Sequence, residues 1–392
     1  MRKRLIKRRY APLHTLFIPL VRLYLRVFCG CRFEVTKLKA GQGCLILANH
    51  VNSLEPVMLE ASFNRPVCFL AQNGLFLGPL IRLLRHLTPF ISIDKGNVDA
   101  VAVMQCLRYI KEGGVLATYP EGNLTYDGEL GYMNPSIVKM VRVLKVPVIY
   151  YTIRGGYGLD PRFGRSPRRG RMYGRVAGVR SVAEIAAMTD EELFTDIRKM
   201  LTVDEFSAGL YRSKRSAEAL ERVLYRCPAC GRTETIQSRG RYVSCVCGLC
   251  AEYRDDLTFG FVRGDCGLRY VRDWIYDELE WVKSYVPDQD SVIFSDGQVK
   301  LEKRRSDMSY GEPECGPMAM TGEHISVCGR TFQLSRLSNM VQIKKQILLL
   351  FTTEQEVYRI TSPKVFCALK YIHMFHRLRQ LRTGVYDNYF GM

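Results

Sequence analysis

The chain has 392 residues, 47% of them hydrophobic and 24% charged, with a formal net charge of +18. That length supports two or three separate cores, and the apolar content excludes a disordered chain. So large a positive charge implies an anionic partner, a membrane surface or a nucleic acid, and composition alone does not choose between them.

The N-terminus carries Arg2, Lys3, Arg4, Lys7, Arg8 and Arg9. A helical pattern follows that sets Leu13, Phe17, Leu20, Tyr24 and Phe28 on one side and Arg22 and Arg26 on the other. Two arginines in so short a run argue against a spanning helix, and no small-residue cleavage site follows. Residues 1–30 therefore read as a basic amphipathic helix lying in the plane of an anionic leaflet, with a helix packed on the next domain as the alternative.

From Cys44 to Ala48 an apolar run predicts a buried strand, and the polar stretch Asn49-His50-Val51-Asn52-Ser53-Leu54-Glu55-Pro56 leaves its end. If a helix starts at Ser53, a loop bearing His50 can fold back onto the carboxylate of Glu55 in the first turn. A histidine accepts a proton at neutral pH when a second group fixes its tautomer and steadies the imidazolium. Taken alone, the pair reads as easily as a polar loop residue and a helix-start carboxylate that favours the dipole.

Alternation continues downstream. Val67 to Ala71 predicts a strand, Leu75 to Leu87 a helix, Phe90 to Ile93 a strand, and Asn97 to Glu112 a helix with Ala100, Val103, Leu107 and Ile110 on one face. A strand from Gly114 to Thr118 leads into Tyr119-Pro120-Glu121-Gly122. Met133 to Leu144 reads as a helix and Val146 to Ile153 as a strand. Such alternation predicts an α/β sheet with helices on both sides, with the two polar segments at strand ends, where open α/β sheets bind ligands.

Four blocks in this region resemble the glycerophospholipid acyltransferase family, which includes the lysophosphatidate acyltransferases. They are Asn49-His50 through Glu55, Ile93-Asp94-Lys95, Tyr119-Pro120-Glu121-Gly122 and Val146-Pro147-Val148-Ile149, in the family's order. The resemblance covers roughly residues 10 to 225 and departs at Glu55 for Asp, at Lys95 for Arg, and at Asn123-Leu124, where many members have Thr-Arg. It implies His50 and Glu55 as catalytic residues, with Asn49, Lys95, Glu121 and Gly122 at the substrate. Lys95 would bind the acceptor's phosphate, and the Glu-Gly segment would help hold its glycerol part. Lysine offers a compact charge there without arginine's bidentate fork, and Gly122 would let backbone approach closely.

Between Arg154 and Arg180 lie Arg162, Arg165, Arg168, Arg169, Arg171 and Arg175 among glycines and prolines. This reads as a loop or hairpin at the sheet edge, with Arg162 and Arg169 as candidate ligands of head-group phosphate. Asp190 to Leu201 and Ala217 to Leu224 are predicted helices that close a domain spanning residues 31–225.

Of the 14 cysteines, those between Cys227 and Cys250 are clustered, which points to metal-binding thiolates rather than a disulfide framework. Cys227-Pro228-Ala229-Cys230-Gly231 and Cys245-Val246-Cys247-Gly248 read as the two turns of a zinc ribbon over residues 226–255, enclosing one structural ion. Cys250 competes for the second turn. Gly248 follows Cys247 as Gly231 follows Cys230, which favours Cys245 and Cys247.

Residues 256–392 are predicted to be a β-rich α+β domain. Leu268 to Val282 reads as a helix, and Val292–Phe294 and Val299–Glu302 flank Asp296-Gly297 as a hairpin. Further strands pair around Gly329 and between Met340 and Phe351, and a helix starting at Ser362-Pro363 carries Val365, Leu369, Ile372 and Phe375 on one face. The arrangement looks like a pleckstrin-homology or GRAM-type module, on architecture alone.

Together these features imply an acyltransferase peripheral or monotopic on the cytoplasmic face of a membrane. It would move an acyl group from acyl-CoA or acyl carrier protein to a lysophospholipid, by resemblance 1-acylglycerol 3-phosphate, and the transfer itself would need no cofactor. The competing readings are a zinc-ribbon protein that binds nucleic acid and a lipid-binding scaffold whose catalysis has decayed at Glu55.

Overall fold

The computed structural model describes residues 6, 10–72, 88–93, 100–286, 288, 291–386 and 389–391. Asp94, Lys95 and the predicted helix from Leu75 to Leu87 lie outside the described residues. The chain divides into two units. One holds residues 1–161 and 169–211, and the other 162–168 and 212–392. In place of separate ribbon and C-terminal domains, both regions belong to the second unit, which also takes seven residues from within the first unit's stretch of sequence.

The first unit is built on strands β1 (Cys31–Phe33), β2 (Cys44–Ala48), β3 (Val67–Gln72), β4 (Phe90–Ile93), β5 (Val115–Thr118), β6 (Val148–Arg154) and β7 (Met172–Arg180), in the order β1-β7-β6-β2-β5-β3-β4. All neighbours are parallel except β6 and β7. The central strands are short continuous apolar runs because both faces are covered, as parallel sheets require. Ile46, Ala48, Phe69, Ala117 and Tyr151 pack on one face, with Ile18 and Leu25 of α1 (Tyr10–Val27) and Met58 and Leu59 of α2 (Glu55–Ala61). Leu45, Leu47, Leu116 and Tyr150 pack on the other, under α3 (Ala100–Lys111), α4 (Ser136–Leu144) and, beyond the short α5 (Gly156–Leu159) and α6 (Val182–Ala187), α7 (Asp190–Leu201).

Three expectations change here. First, the buried side of α1 is Tyr10, His14, Ile18 and Leu25, while Leu16, Phe17, Leu20, Leu23, Tyr24, Val27 and Phe28 are exposed. Arg22, expected on the solvent side, instead donates to the carbonyls of Ala61 (2.8 Å) and Phe63 (2.9 Å), the open carbonyl end of α2. Second, α3 is rotated from its expected face. It buries Ala102, Cys106, Tyr109 and Ile110 and exposes Val103. Third, the arginine-rich stretch is loop only to Arg171, after which β7 runs antiparallel to β6 inside the sheet, with β1 outside it.

In the second unit, β8 (Ile236–Arg239), β9 (Tyr242–Cys245), β10 (Cys250–Tyr253) and β11 (Phe259–Arg263) form an antiparallel sheet beside α8 (Val271–Ser284). The helix expected from Ala217 to Leu224 is a single 3₁₀ turn, Leu220–Arg222. Seven antiparallel strands follow, β12 (Phe294–Lys303), β13 (Glu314–Met320), β14 (His324–Val327), β15 (Arg330–Gln333), β16 (Leu337–Ile343), β17 (Ile347–Thr352) and β18 (Val357–Thr361), in the order β15-β14-β13-β12-β18-β17-β16, and then α9 (Ala368–Thr383). β12 (Phe294–Lys303) runs straight through Asp296-Gly297, which forms a bulge against β13 (Glu314–Met320) rather than the expected hairpin turn. The turn at Gly329 is a true hairpin between β14 (His324–Val327) and β15 (Arg330–Gln333), with Cys328 at φ +51° and Gly329 at φ +81°. Helix α9 starts beyond Ser362-Pro363, and Leu369, Ile372 and Phe375 are buried as expected.

Candidate active site

Strands β2 and β5 are parallel neighbours in register from Cys44 with Val115 to Leu47 with Thr118, so their following loops leave the same end of the sheet. That juxtaposition brings the His50 loop onto the Tyr119–Gly122 segment. Thr125 N–H donates to the His50 carbonyl at 2.9 Å, and the His50 ring stacks on Tyr119 with centroids 4.4 Å apart and planes 18° apart.

Helix α2 begins at Glu55, with Pro56 in its first turn, where a missing N–H costs nothing. The Glu55 side chain is fully buried and both its oxygens are committed. Oε1 meets Nδ1 of His50. Oε2 accepts the backbone N–H of Val51 at 2.8 Å and of Asn52 at 3.3 Å. The carboxylate therefore holds the ring and the loop that carries it at once. With the proton on Nδ1 donated to Glu55, the Nε2 lone pair is left to act as a base, and the His50 side chain keeps 21% of its surface exposed.

Several candidates turn out to brace this loop. Asn49 is buried, and its amide donates to the Ile153 carbonyl and accepts the Ile153 N–H, both at 2.8 Å, so it pins β2 to β6 rather than facing a substrate. Glu121 accepts the His50 N–H through Oε1 and the Gly131 N–H through Oε2, both at 2.7 Å. Burial pushes its carboxyl up to about 8 against those two hydrogen bonds. Gly122 sits at φ +68°, and a Cβ there would meet nothing within 4 Å. What it supplies is a left-handed turn rather than a close approach.

Arg162 is corrected outright. It is buried in the second unit, donating to the Gln342 carbonyl at 2.7 Å, and Arg168 likewise donates to the Ser216 carbonyl at 2.7 Å while its guanidinium lies over Tyr253. Arg169 is exposed in the first unit.

Three further participants were not singled out from sequence. Tyr119 lies in the Tyr119-Pro120-Glu121-Gly122 block, but its stacking depends on the sheet register. Asn52 donates to the Gly156 carbonyl at 3.1 Å and accepts the Leu54 N–H at 2.9 Å, tying the loop to the end of β6 and to the start of α2. Glu205, far along the chain, is buried and accepts the N–H groups of Gly155 and Tyr157 at 3.0 Å. An Asx-turn signal at Asn52 was available, and none existed for Glu205.

A cavity of about 120 Å³ is walled by Leu13, Phe17, Ile18 and Val21 of α1, Pro56 and Val57 of α2, and Phe69 and Phe90 of the sheet. His14 and Glu60 also line it, Nε2 to Oε1 at 3.6 Å. Burial pushes Glu60 up to about 8 and His14 below its ordinary value, so near pH 7 the wall is uncharged. Pro56 and Val57, on its wall, follow Glu55 in the first turns of α2.

The four cysteines favoured from sequence also come together: Cys227, Cys230, Cys245 and Cys247 have their sulfurs within 4.8 Å of one another, and Cys250 stands outside the group, on β10.

Residues 32–154 match the family model described as Acyltransferase. A probable 1-acyl-sn-glycerol-3-phosphate acyltransferase of Mycoplasma genitalium is 27% identical over 121 residues, covering 29% of this chain and 45% of the relative. Its counterpart in Mycoplasma pneumoniae gives the same figures. A chloroplastic 1-acyl-sn-glycerol-3-phosphate acyltransferase of Brassica napus is 26% identical over 116 residues, covering 29% of this chain and 33% of the relative. The chain thus spans less than half the length of these curated relatives. The crystal structure of the 1-acyl-sn-glycerophosphate acyltransferase PlsC from Thermotoga maritima aligns with a TM-score of 0.41 at 18% identity, covering 50% of this chain and 81% of that one.

Proposed function

We propose, from the match of residues 32–154 to the Acyltransferase family model, that this protein moves a fatty acyl group from a thioester to the hydroxyl of a lysophospholipid, with 1-acylglycerol 3-phosphate as acceptor and phosphatidate as product. The observation that carries the reading is the seating of His50 Nδ1 on the buried carboxylate of Glu55, which leaves Nε2 as the reactive nitrogen.

In the proposed reaction Nε2 takes the proton of the acceptor hydroxyl as its oxygen attacks the thioester carbonyl. Collapse of the tetrahedral adduct breaks the C–S bond, and the imidazolium returns the proton to the leaving thiolate. Glu55 does not need to take up the proton. Its charge lowers the energy of the imidazolium, and its bonds to Val51 and Asn52 keep it from turning away. No covalent acyl-enzyme is required, since the acceptor brings its own nucleophile.

The cavity between α1 and α2 is the proposed seat of the acyl chain. An apolar wall with His14 and Glu60 held neutral favours methylenes over water. Lys95 is the proposed ligand of the acceptor's phosphate. The exposed side of α1 is the proposed membrane contact, in plane on the cytoplasmic leaflet: seven large apolar residues face outward while Arg22 is turned onto α2. Among the described residues no helix is long and apolar enough to cross a membrane. Burial of Arg162 and Arg168 removes two of the arginines that motivated a nucleic-acid partner.

The test is an acyl-transfer assay with purified protein across glycerol 3-phosphate, 1-acylglycerol 3-phosphate and other lysophospholipids, each with acyl-CoA and acyl carrier protein. We expect phosphatidate as the main product and its loss in His50→Ala. Transfer persisting in that variant would overturn the mechanism, and absence of transfer with every pair would overturn the enzymatic reading.

A further inference from the structure

We propose that Cys227, Cys230, Cys245 and Cys247 bind one zinc ion as four thiolates, in a closed structural site of the second unit that takes no part in acyl transfer. Zinc–thiolate bonds of about 2.3 Å at tetrahedral angles place sulfurs about 3.8 Å apart. The pairs Cys227–Cys247 and Cys230–Cys245 stand at 3.7 and 3.8 Å, and all four sulfurs lie within 4.8 Å of one another. Those separations are far longer than a disulfide bond and are the spacing that a central ion imposes.

Both turns close in the same way, Gly231 N–H on the Cys227 carbonyl at 2.8 Å and Gly248 N–H on the Cys245 carbonyl at 2.9 Å, with the glycines at φ +72° and +100°. The second turn does so with one residue fewer, which is why the spacing Cys245-Val246-Cys247 suffices.

What the ion would join is also clear. The first turn is fastened to α8: the Tyr225 and Arg226 N–H groups donate to buried Glu278 at 2.6 and 2.9 Å, and Trp274 Nε1–H donates to the Arg226 carbonyl at 2.7 Å. The second turn is the link between β9 and β10. The ion would thus join the turn between β9 and β10 to the turn fastened on α8. Four protein ligands leave no position for a substrate or water, so the role is structural.

The full chain, purified without chelator, should contain one zinc per molecule by elemental analysis. Cys227→Ser and Cys247→Ser should each fall below a fifth of that, while Cys250→Ser keeps it in full. Should the serine variants fail to fold, the wild-type chain refolded with cobalt should show the intense visible bands of a tetrahedral thiolate complex. A metal-free wild-type chain, iron in place of zinc, a Cys250→Ser variant without zinc, or cobalt protein lacking those bands would each overturn the assignment. None of these readouts depends on acyl transfer.

Discussion

At the scale of single residues, the proposed chemistry turns on how Glu55 divides its two oxygens. One holds Nδ1 of His50 and the other two backbone N–H groups of the same loop, so an amide in its place must aim an NH₂ at one set of donors. Glu55→Gln is expected to lower kcat by about 10² to 10⁴, because the charge that stabilises imidazolium is lost. Glu55→Asp keeps that charge but falls one methylene short, and should cost less than Glu55→Gln. Acceptor KM should move little in either, since the role lies in the transition state. Near-normal kcat in Glu55→Gln, with His50→Ala inactive, would reduce Glu55 to a brace for the loop. His50 and Glu55 were legible because their spacing is local and three further blocks accompany them. The work of Asn49 and Glu121 was not, because their partners Ile153 and His50 are distant in sequence and reach them only through the order of strands.

At the scale of elements, α1 shows how a periodic pattern can place one side correctly and misjudge the other: Phe17, Leu20, Tyr24 and Phe28 stay outside as expected, while Arg22 packs on α2. Both of its sides are apolar. The side that packs is Tyr10, His14, Ile18 and Leu25, and the side with larger apolar residues is left outside. Periodicity reports that a face is apolar and says nothing about whether protein or lipid covers it. By contrast α7 has the bounds expected of it, Asp190–Leu201, because Thr189 and Glu192 form a capping box that is visible in the sequence. Deleting α1 to test the membrane contact would also strip Ile18 and Leu25 from the core. Replacing Leu16, Leu20 and Leu23, 66%, 63% and 60% exposed, by serine spares that packing. If each leucine contributes about 1 kcal/mol when half-embedded, the triple variant should bind anionic vesicles about a hundred-fold less tightly. Its melting temperature in the absence of vesicles should be unchanged. Co-sedimentation equal to the wild type would reject α1 as the contact.

At the scale of the whole molecule, the path of the chain matters more than any boundary drawn along it. A domain border near residue 225 was expected from the two predicted helices before it and the first cysteine pair after it, yet the chain enters the second unit at Arg162, returns at Arg169 and leaves again after Tyr211. Nothing local marks that excursion, since its arginines and prolines look like a solvated loop. What holds it is burial: Phe163 is fully buried, Arg162 donates to the Gln342 carbonyl, Arg168 donates to the Ser216 carbonyl, and Lys345 donates to the Gly164 carbonyl at 2.6 Å. All of those partners lie after residue 211, so a fragment ending there would keep the seven-residue segment and lose each of them. We therefore expect trypsin to cleave the fragment 1–211 rapidly after Arg162 and Arg168, at sites protected in the full chain, while the half-exposed Arg165 bond is cut in both. Peptide mapping by mass spectrometry over a short digestion distinguishes these bonds. Equal protection of Arg162 and Arg168 in fragment and full chain would mean that the segment is held by the first unit itself, and that the two crossings of the chain carry no structural weight.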